Sequence, residues 1–403
     1  MSEAKGPSIP HDIVAEVIEK RPSLKKEQTN AIRWVLEAPT GKISLITGDA
    51  GTGKTFLLDA VREALEKAGR TVYGATLTGK AAQELQEGAG IESCTIHRFL
   101  GLWDQGSAAL TSGSVLVVDE AAMVDTRRLH QIVSICQEAD ASLVLVGDGK
   151  QLQAIEIGGG FQALAELIGY ARLQEIVRQE DPKDREMVKG IAQGGAGKAL
   201  RHLLDKGNLS ILENRREAKV LLMNQWAVEG TEAPQHHLIL ASRNVDVFDL
   251  NRGAQRRRFD LGAIGNESLT VGETVFYERD RILFTRNQYG LGVRNGTLGT
   301  IRYLDPDLKL LSVDLDDGRS VTVATGEYDH VRLGYAITTH KSQGLSVSNS
   351  YVLTDEMMQD RESSYVQFSR AKQRTQVFTT RAEVGKELTE LAARMARSRE
   401  KAL

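Results

Sequence analysis

The sequence predicts an α/β protein of two parallel-sheet domains, the second interrupted by a small all-β insertion. Apolar runs at residues 43–47, 71–75, 115–118 and 143–146 alternate with helical stretches, a pattern typical of strands buried on both faces of a parallel sheet. Residues 48–55 read Gly-Asp-Ala-Gly-Thr-Gly-Lys-Thr, directly after the first of these runs and directly before a helical pattern. Residues 262–330 change character, with β-branched runs at 269–277, 281–285, 297–303, 310–315 and 319–323 spaced too closely to leave room for helices. The 403 residues exceed what one ordinary core accommodates, so more than one unit is expected.

In chain order, residues 1–22 contain three prolines and read as a loose polar arm around one short helix at 11–20. Residues 23–161 form the first α/β domain, with a short arm at about 100–113. Residues 162–261 and 331–403 form the second, with strands expected at 209–212, 237–241, 335–339 and 350–354 and a charged helix from Ala382. The insertion at 262–330 reads as a small β-barrel, with Asp316-Asp317-Gly318 as the turn of its last hairpin.

The composition, 41% apolar and 26% charged, is that of a globular protein. No apolar run approaches the roughly 20 residues that span a bilayer, and the polar N-terminus lacks the apolar centre of a signal peptide, so a cytoplasmic protein without a membrane partner is expected. Cys94 and Cys136 suggest neither a zinc site nor a disulfide framework. A net charge of −3 argues against a protein that coats nucleic acid, so any polynucleotide would be held in a local cleft.

The 48–55 segment is a phosphate-binding loop. Backbone amides of Gly48, Asp49, Ala50, Gly51, Thr52 and Gly53 turn around an anion at a helix N-terminus, Lys54 reaches the β- and γ-phosphates, and Thr55 offers its hydroxyl to Mg²⁺. A nucleotide and Mg²⁺ are therefore the expected cofactors. The run Val-Leu-Val-Val-Asp-Glu-Ala-Ala-Met at 115–123 ends an apolar strand in two acids, of which Asp119 suits Mg²⁺ and Glu120 the attacking water; the alternative is a pair that merely opens a helix. The next strand ends Gly147-Asp148, and Gln151 follows with a neutral amide suited to a γ-phosphate contact.

The order of these motifs resembles superfamily 1B helicases, the RecD-like and Dda-like motors, and most of all the helicase half of TraA-type conjugative relaxases. The similarity runs from about Ser23 to Arg374. Leu24-x-x-x-Gln28 is similar to the adenine-reading element, which makes Gln28 the reader. Leu77-Thr78-Gly79-Lys80 and Thr95-Ile96-His97-Arg98 resemble DNA-contacting segments, as does the run from Tyr335 through Thr338-Thr339-His340 to Gly344. The resemblance therefore implies that Thr78, Lys80, Thr95, His97, Thr338 and His340 hold phosphates without reading sequence. Ile176-Val177-Arg178-Gln179 and Tyr365-Val366-Gln367-Phe368-Ser369-Arg370 resemble the motifs that bring two arginine fingers, Arg178 and Arg370, from a second domain; a solvated charge is the alternative for each.

The fold implied is two RecA-like P-loop NTPase domains with an SH3-like insertion in the second. The function implied is an ATP-dependent 5′-to-3′ single-stranded DNA translocase and helicase, working as a monomer on single-stranded or tailed duplex DNA, with accessory replication, repair or transfer proteins as further partners. In this sequence the segment between His97 and Val115, which carries Trp103, is short, so translocation is better supported than strand separation. Gln153-Ala154 and Phe368-Ser369 also depart from the commoner family patterns, and the 22 residues before the motor are too few for a nicking domain. An RNA motor, a small-molecule kinase and an ATP-switched binding protein are the rival readings.

Overall fold

The computed structural model describes residues 8–37, 41–148 and 159–398. The chain divides into two compact units, the first running to Arg178 and the second starting at Gln179.

Six parallel strands make the first sheet. They are β1 (Ile43–Gly48), β2 (Val72–Thr76), β3 (Glu92–Thr95), β4 (Val115–Val118), β5 (Ser142–Gly147) and β6 (Ala171–Leu173), in the spatial order β3-β2-β4-β5-β1-β6. Side chains alternate across a strand, so one run feeds two cores. Val115 and Val117 of β4 pack with Leu57, Val61 and Leu65 of the helix Lys54–Lys67, whereas Leu116 and Val118 pack on the other face with Ile132 and Cys136. Helices on both faces explain why β4 and β5 carry hardly a polar residue.

Three expectations for this unit need correction. Its boundary is at residue 178, not 161, because β6 adds to β1 through the pair Ile46 and Ala171 and buries Leu173 in the core. Three residues with an arginine at their centre were too short a signal to read as a strand. The arm is not loose from Ile9 onward: Val14 and Val17 of the helix His11–Glu19 are fully buried in the first core, and the Ile9 amide donates to the Leu36 carbonyl. The segment expected as an arm at 100–113 begins as the end of the helix Ile96–Asp104 and stays on the unit, with Trp103 packed against its second core and Leu110 buried in it.

The second unit has a parallel sheet and an antiparallel one. The parallel sheet contains β7 (Leu209–Leu212) and β8 (His237–Ala241) and, after the insertion, β16 (Ala336–Thr338), β17 (Val347–Leu353) and β18 (Ala371–Thr380), in the order β16-β8-β17-β18-β7. The insertion contributes the ribbon β9 (Ser268–Val271) and β10 (Thr274–Tyr277), then β11 (Arg281–Phe284), β12 (Leu298–Asp305), β13 (Leu310–Leu315), β14 (Ser320–Ala324) and β15 (Val331–Leu333), in the order β14-β13-β12-β11-β15. The single run expected at 269–277 is thus two strands, because Gly272 turns the chain at a φ of 60°. The hairpin at Asp316-Asp317-Gly318 is as expected, with the Gly318 amide donating to the Leu315 carbonyl. The C-terminal helix expected from Ala382 is broken into Arg381–Val384 and Thr389–Ala396.

The insertion ends at Leu333 rather than His330, since β15 pairs with β11. Gly334 then leads into the parallel sheet, passing so close to the Ile282 carbonyl that a Cβ would sit 2.8 Å from it. One core serves both parts: Phe276, Ile282 and Val313 of the insertion cluster with Ile239, Leu353 and Phe378 of the parallel sheet. At this junction the buried Asp280 accepts from the Tyr335 hydroxyl at 2.5 Å, from Gln255 Nε2 at 2.6 Å and from the Tyr277 amide at 2.9 Å. Arg258 donates to the same Tyr335 hydroxyl.

Burial is the largest influence on the Asp280 carboxyl and pushes it up to about 6, against an ordinary 3.8, while the hydrogen bonds and Arg258 pull the other way. The folded state therefore holds a proton that the unfolded chain releases, and this contribution to stability is lost as pH rises from about 4 to about 6. The gap corresponds to on the order of 3 kcal/mol. Thermal unfolding should accordingly show a fall in stability across that window that Asp280→Asn removes; an identical pH profile in the variant would contradict it. Among the described residues no helix is long and apolar enough to cross a membrane.

Candidate nucleotide and nucleic-acid site

The phosphate loop follows β1 and closes on the helix Lys54–Lys67. Gly51 and Gly53 take φ of 81° and 75°, the left-handed region that glycine enters without strain. Both are also hemmed in: a Cβ on Gly51 would lie 2.6 Å from Cβ of Arg178, and one on Gly53 would lie 2.5 Å from Nε2 of Gln28. Lys54 Nζ bonds the carbonyls of Gly48 and Asp49, at 2.8 and 3.1 Å. The cation thus lies over the loop on neutral acceptors that an anionic phosphate can displace. Thr52 braces the turn through its hydroxyl to the Asp49 carbonyl.

Two neighbouring segments hold the loop from outside. Gln28 is buried, donates to the Thr52 carbonyl at 2.9 Å and accepts from the Lys25 amide at 2.8 Å, so its amide already props up the loop it was expected to serve as adenine reader. The amides of Val177 and Arg178 both donate to the Gly51 carbonyl, at 2.8 and 3.1 Å. Arg178 therefore belongs to the first unit and is anchored beside the phosphate loop, where the sequence had it arriving from a second domain. It lies only five residues beyond β6, the strand that sequence reasoning missed.

Asp119 and Glu120 leave the carboxyl end of β4. Burial raises the affinity of the Asp119 carboxyl for its proton, and the charge of Lys54 and the Glu120 amide, 2.8 Å from Oδ1, oppose this. Thr55 and Asp119 are the residues that would hold Mg²⁺. Glu120 has φ 56° and ψ 29°, a left-handed conformation that costs a non-glycine residue on the order of 1 kcal/mol. Strain of this kind persists where the surrounding structure fixes it, and here it sets the direction of the candidate base. Asp148, at the end of β5, is buried. Gln151 lies outside the described residues.

The residues expected to touch a strand gather at the carboxyl edges of the sheets. In the first unit, β2 and β3 are neighbours, pairing Thr76 with Thr95, which brings the segments of Thr78 and Thr95 to one end of the edge that also carries the phosphate loop. Thr78 and Thr95 each cap a helix, accepting from the amides of Ala81 and Arg98. His97 is exposed in the first turn of the second of those helices, and Lys80 pairs with Glu84 at 3.8 Å. In the second unit, Thr338 ends β16 and His340 is exposed in the turn that follows. Burial and the neighbouring charge of Arg332 both lower the proton affinity of Lys341 in the same turn.

Arg370 also belongs to the second unit and is 1% exposed. Its Nε donates to the Val366 carbonyl at 2.9 Å, and its Nη1 to the carbonyls of Ser342 and Leu345 at 3.2 and 3.3 Å. Gln179 donates to the carbonyls on either side of it, those of Ser369 and Ala371. Sequence reasoning assigned no role to Gln179, Gln367 or Thr339, whose hydrogen bonds brace the segment of Arg370 and the turn after β16. The available signal was a glutamine set between Val366 and Phe368, where an apolar residue would cost less.

A family described as an AAA domain matches residues 23–214. The conjugal transfer protein TraA of Agrobacterium fabrum is 34% identical over 384 residues, which is 94% of this chain and 34% of that protein. The ATP-dependent RecD2 DNA helicase of Deinococcus radiodurans is 28% identical over 334 residues, covering 80% of this chain and 44% of that one. The chain thus spans about a third of the length of the TraA relative. Among solved structures, Bacteroides Pif1 helicase in complex with ADP-AlF3 and ssDNA shares the fold with a TM-score of 0.58 at 17% identity, over 91% of this chain and 94% of that one. Phosphate loop, acid pair and the two arginine-bearing motifs stand in one order on two parallel-sheet units, in this chain as in the family its sequence resembles, and by that order and these relationships the chain belongs to the superfamily 1B helicases.

Proposed function

We propose that the chain is an ATP-dependent translocase and helicase on single-stranded DNA, moving 5′ to 3′. The supporting observation is the placement of the candidate strand contacts at the carboxyl edge of each unit's parallel sheet, in the first unit the edge that also carries the phosphate loop and acid pair. The RecD2 relative, named a DNA helicase, and the Pif1 fold seen with ssDNA agree with it.

In the proposed cycle Lys54 exchanges the Gly48 and Asp49 carbonyls for the β- and γ-phosphates, while the loop amides hold the remaining oxygens. Mg²⁺ held by Thr55 and Asp119 neutralises phosphate charge when bound. Glu120 orients the attacking water and takes its proton. Arg178 and Arg370, with Gln151, stabilise the charge that develops on the transferred phosphoryl group, and loss of the γ-phosphate removes their contacts. Motion along a strand follows if the two units grip it alternately, and contacts limited to phosphate suit a motor that ignores sequence.

Glu120→Gln should retain ATP binding and lose turnover, as an amide cannot accept the proton; measurable multiple turnover would remove Glu120 as the base. The function itself is tested by unwinding of matched duplexes carrying a 5′ or a 3′ single-stranded tail, alongside ATPase stimulation by poly-dT and poly-U. Unwinding from the 5′ tail with stimulation by poly-dT is expected. Unwinding from the 3′ tail reverses the polarity, stimulation by poly-U alone replaces DNA by RNA, and ATP-dependent binding without displacement reduces the protein to a switch.

A further inference from the structure

The turn at residues 338–345 is gripped at both ends by one short stretch of chain. The helix Arg361–Phe368 presents Gln367, whose Nε2 donates to Oγ1 of Thr339 at 2.8 Å. Three residues on, the guanidinium of Arg370 holds the carbonyls of Ser342 and Leu345. One end of the turn therefore hangs from Gln367 and the other from Arg370. Thr339 is buried between Thr338 and His340, the two residues placed to contact a strand.

Gln367 is fully buried between Val366 and Phe368, which are fully buried as well. An apolar side chain of that volume would pack there without losing hydration, so the amide is unfavourable unless its hydrogen bonds matter. Its Oε1 accepts from Gln359 Nε2 at 3.0 Å, and that nitrogen also reaches Ser364 Oγ at 2.7 Å. Gln359 Oε1 is left buried without a partner, a further penalty carried by the same network. A water-excluded chain of hydrogen bonds therefore runs from the Thr339 hydroxyl to the helix Arg361–Phe368, which Arg370 follows by two residues.

We propose that Gln367 is the positioning residue that couples strand binding to hydrolysis: occupancy of Thr338 and His340 shifts the turn, and the Thr339–Gln367 bond carries that shift to Arg370. The inference rests on the reading of the chain as a DNA-stimulated ATPase. It concerns the ratio of the stimulated to the unstimulated rate, which glue between two elements would leave unchanged.

The test compares wild type with Gln367→Met, Thr339→Val, Thr339→Ser and the double variant Gln367→Met/Thr339→Val. Steady-state ATPase is measured with and without saturating poly-dT, together with KM for ATP, half-saturation by poly-dT and thermal stability. Gln367→Met and Thr339→Val should each keep the unstimulated rate to within about twofold and lose roughly threefold to tenfold in stimulation, the range expected for one net hydrogen bond. Thr339→Ser, which retains the hydroxyl, should keep the stimulation, and the double variant should be no worse than either single one. KM for ATP and half-saturation by poly-dT should not move. Stimulation factors equal to wild type, equal losses in both rates, or additive losses would overturn the proposal. A wild type that poly-dT fails to stimulate would overturn the functional reading as well, a result visible before any variant is made.

Discussion

Replacing Lys54 by alanine is expected to abolish ATP hydrolysis, with kcat falling by at least about a thousandfold, and to leave the fold intact. The side chain is half-buried, and its ammonium donates to two backbone carbonyls of its own loop. Losing those bonds costs the loop little, because Thr52, Gln28 and the amides of Val177 and Arg178 continue to brace it. The transition state loses far more: a cation aimed at the oxygens where charge accumulates acts at close range with little water between. Lys54→Met, which keeps the stem and removes the charge, should behave like alanine. The measurement is turnover per folded molecule, with thermal unfolding as the control. Turnover within tenfold of wild type in both variants would mean that the loop binds something other than the hydrolysed nucleotide.

How much of this was legible in the sequence depends on the length over which each signal extends. The strands β4 and β5 and the loop between β1 and the helix Lys54–Lys67 are continuous runs whose chemistry is local, and each was read to within a residue or two. β6 is three residues long with Arg172 in the middle, and only its pairing with β1 makes it a strand. Its absence from the sequence reading moved the boundary between the units and with it Arg178. The end of the insertion was misplaced for a related reason: β15 and β16 are separated only by Gly334 and Tyr335, and belong to different sheets. No pattern within a window of that size distinguishes them. Motif order identified Arg370 and the turn at 338–345, but their mutual hydrogen bonds join residues some 25 positions apart and are a property of the fold alone.

Arg370→Ala should reduce kcat by about a thousandfold or more while ATP and DNA still bind. Burial adds a second expected effect. The guanidinium is nearly inaccessible and donates to the carbonyls of Val366, Ser342 and Leu345, so its removal takes one buried donor from each, although Val366 keeps the Ser369 hydroxyl and Ser342 the Leu345 amide, and leaves any phosphate without its partner. Each lost hydrogen bond costs on the order of 1 kcal/mol, and a drop in thermal stability is therefore expected beside the catalytic loss. The two effects separate in the ratio of rate to folded fraction. A purely structural arginine would lower the melting temperature and leave kcat per folded molecule nearly unchanged. An arginine that leaves those carbonyls for the γ-phosphate would lower kcat far beyond the loss of folded protein, and Arg370→Lys would not restore it, because a single ammonium replaces neither the fork that spans two carbonyls nor its bidentate grip on phosphate. Single-turnover hydrolysis with enzyme in excess decides between them, since it reads the chemical step on molecules that have already bound ATP. Loss of the chemical step with ATP affinity retained would make Arg370 a finger that the 338–345 turn holds until phosphate competes for it. Retention of the chemical step would reduce it to the pin of that turn.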